Sequence, residues 1–127
     1  MKVEFLTELY LHPLGPEEFT LLAPFVFLVD GARYEAPTGF LTDLDSIPRL
    51  PFAYWIAKGR AIKSFVMHDL LYELQVPRKW ADDAMRAGMA VERVDSALGS
   101  LMYGFVRLGG SSHYAVDTAW LEEAPPP

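Results

Sequence analysis

Ala61-Ile62-Lys63-Ser64-Phe65-Val66-Met67-His68-Asp69-Leu70-Leu71-Tyr72-Glu73-Leu74 is the stretch that decides the fold. Its apolar residues fall on nearly every side of a 3.6-residue period, which predicts a central buried helix. His68 and Asp69 interrupt that apolar surface. Burying either without a partner is costly, so each should find one. Adjacent residues on a helix point about 100° apart, so the two must look to different partners. Asp82-Asp83 follow on the next helical segment, across a short turn. Helices joined this way are usually antiparallel neighbours, which lets Asp82 or Asp83 face His68.

Working outward, Pro77 suits the first turn of a second helix running to about Glu92. Its apolar stripe reads Trp80, Ala81, Ala84, Gly88 and Val91. A third helix is predicted from about Val94 to Leu108, with Val94, Ala97, Leu98, Leu101, Met102, Phe105 and Leu108 in period. Gly99 and Gly104 within it point to close packing, and Gly109-Gly110 to its end. Before the helices, residues 2–43 read as β. Val3, Phe5, Leu9 and Leu11 share one parity, as in a strand with one buried face. Phe19 to Leu22 and Phe25 to Val29 continue the β pattern, and Pro24 between them marks an edge or a break. Asp30-Gly31 is a hairpin turn, Arg33-Tyr34-Glu35 the returning strand, and Pro37-Thr38-Gly39 the next turn.

Strands first and helices later predict the α+β class. The expected architecture is a small antiparallel β region packed on a helical hairpin plus a third helix. One domain is expected over residues 1–127: 2–43 mainly β, 50–109 mainly α, and 110–127 a C-terminal arm. In the arm, Trp120 should dock and Pro125-Pro126-Pro127 extend.

Composition narrows the function classes. The chain has 127 residues and no cysteine, which excludes disulfide staples, thiolate metal sites and a cysteine nucleophile. Net charge is −6, which argues against bulk nucleic-acid binding. The charge is uneven: residues 1–48 carry −6, residues 49–109 carry +3 and the tail −3. Met1-Lys2-Val3-Glu4 has an early acid with no apolar core behind it, so no signal peptide is expected. No segment reaches the ~20 apolar residues of a transmembrane helix. Nor does the sequence hold a GxGxxG, P-loop, GxSxG or HExxH motif.

The residues left for chemistry are polar. A carboxylate on one imidazole nitrogen of His68 fixes the tautomer and raises the basicity of the other nitrogen. Asp69 would then be available to a hard cation. The loop Thr42-Asp43-Leu44-Asp45-Ser46-Ile47-Pro48-Arg49 adds Asp43, Asp45 and several carbonyls, an oxygen-rich set suiting calcium better than zinc. Plainer readings compete. Asp45 or Ser46 could N-cap a short helix, and Arg78 and Asp82 at i, i+4 could form a surface salt bridge. His68 could be a hydrogen-bonded core histidine, while His12 and His113 sit in loop-like contexts.

Taken together, Gly39-Phe40-Leu41-Thr42-Asp43-Leu44-Asp45-Ser46-Ile47-Pro48-Arg49, His68-Asp69-Leu70-Leu71-Tyr72, Arg78-Lys79-Trp80-Ala81-Asp82 and Val106-Arg107-Leu108-Gly109 resemble a family of small proteins of tailed bacteriophages and prophages. That resemblance covers residues 39–109. It implies phage origin, a location in the bacterial host cytoplasm or the virion, and no particular reaction. The helix pair also looks like the core of bacterial secreted phospholipase A(2) enzymes. That likeness implies His68 as general base, oriented by Asp82 with Tyr72 in support; Arg49 and Arg78 are further candidate supporting residues. It further implies Asp69, with Asp43 and Asp45, as ligands of a calcium ion that polarises an ester carbonyl. Those enzymes hold their helices with disulfides; this chain must use packing and polar contacts. Two functions are therefore expected: a calcium-dependent hydrolase of a lipid or envelope ester, or a non-catalytic virion, tail or assembly component that binds other phage structural proteins.

Overall fold

The computed structural model describes residues 1–15, 18–42 and 60–109. Among these, six short strands precede three helices, giving an α+β fold. The strands are β1 (Val3–Phe5), β2 (Leu11–Pro13), β3 (Phe19–Leu21), β4 (Phe25–Val29), β5 (Ala32–Ala36) and β6 (Leu41–Thr42). The helices are α1 (Ile62–Glu73), α2 (Arg78–Val91) and α3 (Ser96–Gly109). Two antiparallel three-stranded sheets form, ordered β1-β4-β5 and β2-β3-β6.

The division into two sheets corrects one expectation. Val3, Phe5, Leu9 and Leu11 do all pack on the core, but Val3 and Phe5 are on β1, Leu11 is on β2 of the other sheet, and Leu9 lies in the link between them. The chain leaves β1 after Phe5, and Thr7 Oγ1 accepts the backbone N–H of Val26 at 3.0 Å. Pro24, with no N–H to donate, separates β3 from β4 and so ends the second sheet's claim on that segment. Asp30 (φ 49°) and Gly31 (φ 85°) turn the β4–β5 hairpin, whose pairing runs from Val29↔Ala32 to Phe25↔Ala36. Gly39 (φ 88°) occupies the left-handed region in the turn before β6.

Helix α1 is enclosed on nearly all sides, as its composition predicts: Ser64 to His68 and Leu70 to Tyr72 are buried. Its two sides serve two apolar clusters. Val66, Met67, Leu70 and Leu71 join Val3, Phe25, Phe27 and Val29 of the first sheet, with Ala81 and Ala84 of α2. Phe65 joins Met85, Met89, Met102 and Val106 between the three helices.

Pro77 immediately precedes α2, where its fixed φ of −51° and missing N–H suit the helix start. The inward face of α2 is Ala81, Asp82, Ala84, Met85, Gly88 and Met89, whereas the predicted stripe member Val91 is half exposed. In α3, Met102 and Val106 are buried, but Leu101 and Leu108 face outward. Val94 packs inside ahead of the helix, and Asp95 caps it by accepting the N–H groups of Ala97 and Leu98. Gly88 and Gly99 are close to neighbours, whereas a Cβ at Gly104 would meet nothing within 4 Å among the described residues. No helix among the described residues is long and apolar enough to cross a membrane.

Candidate functional site

The polar site lies where α1, α2 and α3 meet. His68 Nε2 lies 2.6 Å from Asp82 Oδ1, and both side chains are wholly buried. The two helices are antiparallel neighbours across the short turn at Leu74 to Pro77, so the 14-residue spacing becomes a direct contact. The phenol of Tyr72, one turn beyond His68 on α1, donates to the same Asp82 Oδ1 at 2.6 Å. Its ring lies 4.1 Å from the His68 ring. Arg107 of α3 donates from Nη1 to the other oxygen, Asp82 Oδ2, at 2.8 Å. Arg78 Nη1 stands 3.8 Å from Asp82 Oδ2 and donates to the Arg107 carbonyl at 3.1 Å.

These contacts set the protonation of the site. Burial pushes the Asp82 carboxyl up, but hydrogen bonds from His68, Tyr72 and Arg107, with the charge of His68, outweigh it. The net direction is below the ordinary carboxylate value. An ionised carboxylate can only accept, so the hydrogen in the His68–Asp82 contact is on Nε2. In the neutral ring the basic lone pair is then on Nδ1. Burial, together with the charge and hydrogen bond of Asp82, pushes the Tyr72 phenol well above its ordinary value, so it stays a donor.

Asp69 points elsewhere, as its 100° offset requires. It accepts a hydrogen bond from Thr42 Oγ1 at the end of β6. Asp83 is also separate from His68: Lys79 Nζ holds one oxygen at 2.8 Å and Tyr103 the other at 2.6 Å. Burial, then Asp83, pushes the Tyr103 phenol up to about 12. The Arg78–Asp82 pair is not a surface salt bridge, because Asp82 has no exposure and Arg78 little. His12 lies exposed on β2. Asp43, Asp45, Ser46, Arg49, His113 and Trp120 lie outside the described residues.

Among the described residues no three His, Asp or Glu side chains converge on one point. Asp69 and Thr42 supply too few oxygens for the six to eight that calcium takes. A calcium site would require Asp43, Asp45 or loop carbonyls besides.

The sequence motifs named Asp82 and Tyr72 but gave Arg107 and Thr42 no role. Both stand in the quoted motifs, yet they act 25 and 27 residues from their partners, a separation no local spacing reveals.

A family model described as "Protein of unknown function (DUF1353)" matches residues 19–106. The chain belongs to the DUF1353 family. The DUF1353 span runs from β3 to Val106, so it contains Thr42, His68, Asp69, Tyr72, Arg78 and Asp82, and ends one residue before Arg107. No curated protein and no solved structure matches the chain.

Proposed function

We propose that this DUF1353 protein is a phage-encoded ester hydrolase in which His68 is the general base and Asp82 its orienting carboxylate. One observation carries the reading: His68 Nε2 and the Tyr72 hydroxyl converge on Asp82 Oδ1, both at 2.6 Å. This is the arrangement that the phospholipase A(2) likeness of the helix pair implies. Asp82 holds the ring with its lone pair on Nδ1, where a water can lose a proton. The water oxygen attacks the ester carbonyl carbon as its proton passes to Nδ1. Collapse of the tetrahedral intermediate breaks the ester C–O bond, and His68 returns the proton to the leaving alcohol. Asp82 stays ionised throughout and offsets the transient imidazolium charge. The phospholipase A(2) likeness of the helix pair favours a lipid or cell-envelope ester as substrate. Calcium held by Asp69, Asp43 and Asp45 would supply polarisation of the carbonyl.

A second reading rests on a different observation: His68 and Asp82 have no solvent exposure at all. Hydrolysis requires the site to open. If it stays closed, the same network is a polar clamp that takes the place of disulfides in a virion, tail or assembly component.

The test is hydrolysis of short-chain esters and phospholipid vesicles, with calcium and with chelator, by wild type and His68→Ala. Catalysis predicts turnover by wild type that the variant loses. Equal background rates in both favour the clamp. A rate that survives chelation removes calcium while leaving the dyad.

A further inference from the structure

We propose that Arg107 is a positioning residue, which holds Asp82 so that one oxygen alone faces His68. The role in catalysis rests on the dyad reading above; the positioning itself does not. Asp82 has two oxygens with divided duties. Oδ1 receives His68 and Tyr72, and Oδ2 receives Arg107 Nη1 at 2.8 Å. The terminal torsion of an aspartate is broad, so nothing in the side chain itself fixes which oxygen faces which partner. A competing cation sits one turn back on the same helix: Arg78 Nη1, 3.8 Å from Oδ2. That distance is beyond hydrogen-bond length, and Arg78 is already donating to the Arg107 carbonyl at 3.1 Å. Arg107 thus makes the short bond to Oδ2, while its own backbone is tied to the start of α2.

The charges agree with the geometry. A wholly buried carboxylate needs a compensating cation nearby. Arg107 supplies a cation that keeps its proton at any working pH. Its side chain is one-quarter exposed, so it brings that charge inward from the surface.

The experiment is NMR of the full chain, reading the downfield Hε2 proton of His68 and the ring ¹⁵N shifts that report its tautomer. Wild type should show a protonated Nε2 with a slowly exchanging Hε2. Arg107→Gln should lose that signal and populate both tautomers. Arg107→Lys should keep the signal but displace it, because an ammonium reaches Oδ2 from a different direction. Arg86→Gln is the control. Arg86 also joins α2 to α3, through the Ser96 carbonyl at 3.1 Å, without touching Asp82. It should leave the His68 signal unmoved. Unchanged His68 signals in folded Arg107→Gln overturn the proposal. If that variant does not fold, an undisplaced signal in Arg107→Lys overturns it. Hydrolysis is read on the same samples, with at least a tenfold fall in kcat and little change in KM expected for Arg107→Gln. Altered tautomers with no wild-type turnover would reject the hydrolase reading and leave the positioning role standing.

Discussion

Asp82 and Glu92 are carboxylates withdrawn from water, and their surroundings push them in opposite directions. Glu92 reaches back from the end of α2 to the start of α1. It accepts the backbone N–H groups of Lys63 and Ser64 and the Ser64 hydroxyl, the last at 2.6 Å. It therefore caps a helix that has no capping side chain of its own. Burial pushes Glu92 up more than those bonds and Lys63 pull it down, so it lies above its ordinary 4.5. Asp82 lies below its ordinary 3.8. The linkage signs follow. The contribution of Asp82 is present above pH 3.8 and is lost as pH falls through its lower folded value. That of Glu92 is full below pH 4.5 and declines as pH rises through its higher folded value. Urea unfolding across this range should show Asp82→Asn flattening the acid limb and Glu92→Gln flattening the limb above it. Unaltered slopes would contradict these assignments. Asp82→Asn should also cost about 3–5 kcal/mol near neutrality, since it leaves Arg107 beside a neutral amide in a buried network.

At the scale of elements, Gly88 sets how closely α1, α2 and β1 approach. A Cβ there would come 2.7 Å from Ser64 Oγ, 3.0 Å from Met67 Cε and 3.2 Å from Phe5 Cζ. Gly88→Ala should destabilise by about 1–3 kcal/mol through overpacking, despite alanine's better helix propensity. Gly104→Ala meets no neighbour among the described residues and should stabilise by up to about 1 kcal/mol. Equal effects in denaturant titrations would contradict the packing account. Between sheet and helix, Phe25, Phe27, Tyr34 and Trp80 form a ladder with successive ring separations of 5.6, 5.5 and 6.0 Å. The Tyr34 hydroxyl is buried and finds no hydrogen-bond partner among the described residues. Tyr34→Phe keeps the ladder and removes that unsatisfied group. Its melting temperature should equal or exceed that of wild type, because an unmade buried hydrogen bond costs about 1–3 kcal/mol. A clear fall would show that the hydroxyl is satisfied.

For the molecule as a whole, what the sequence made legible was local. The apolar run around His68 placed α1, Pro77 began α2, and Asp30-Gly31 turned the hairpin, each within a residue or two of the structure. The His68–Asp82 contact was legible because a short turn converts spacing into proximity. Long-range choices were not. Splitting Val3 to Leu11 between two sheets depends on which strands β3 and β4 pair with, which parity does not encode. Met85 and Met89 face inward in preference to Val91 because α3 packs on that side of α2. Arg107 on Asp82, Thr42 on Asp69 and Glu92 on Ser64 are each contacts across 25 or more residues, made only after the helices assemble. The site therefore joins a motif that can be read to supports that cannot. Whether those supports serve chemistry is decided most directly by the rate of phospholipid-vesicle hydrolysis by wild type relative to His68→Ala, at matched folded content. The dyad account predicts a wild-type rate at least a hundredfold above the variant, the range a general base contributes; equal rates would contradict it.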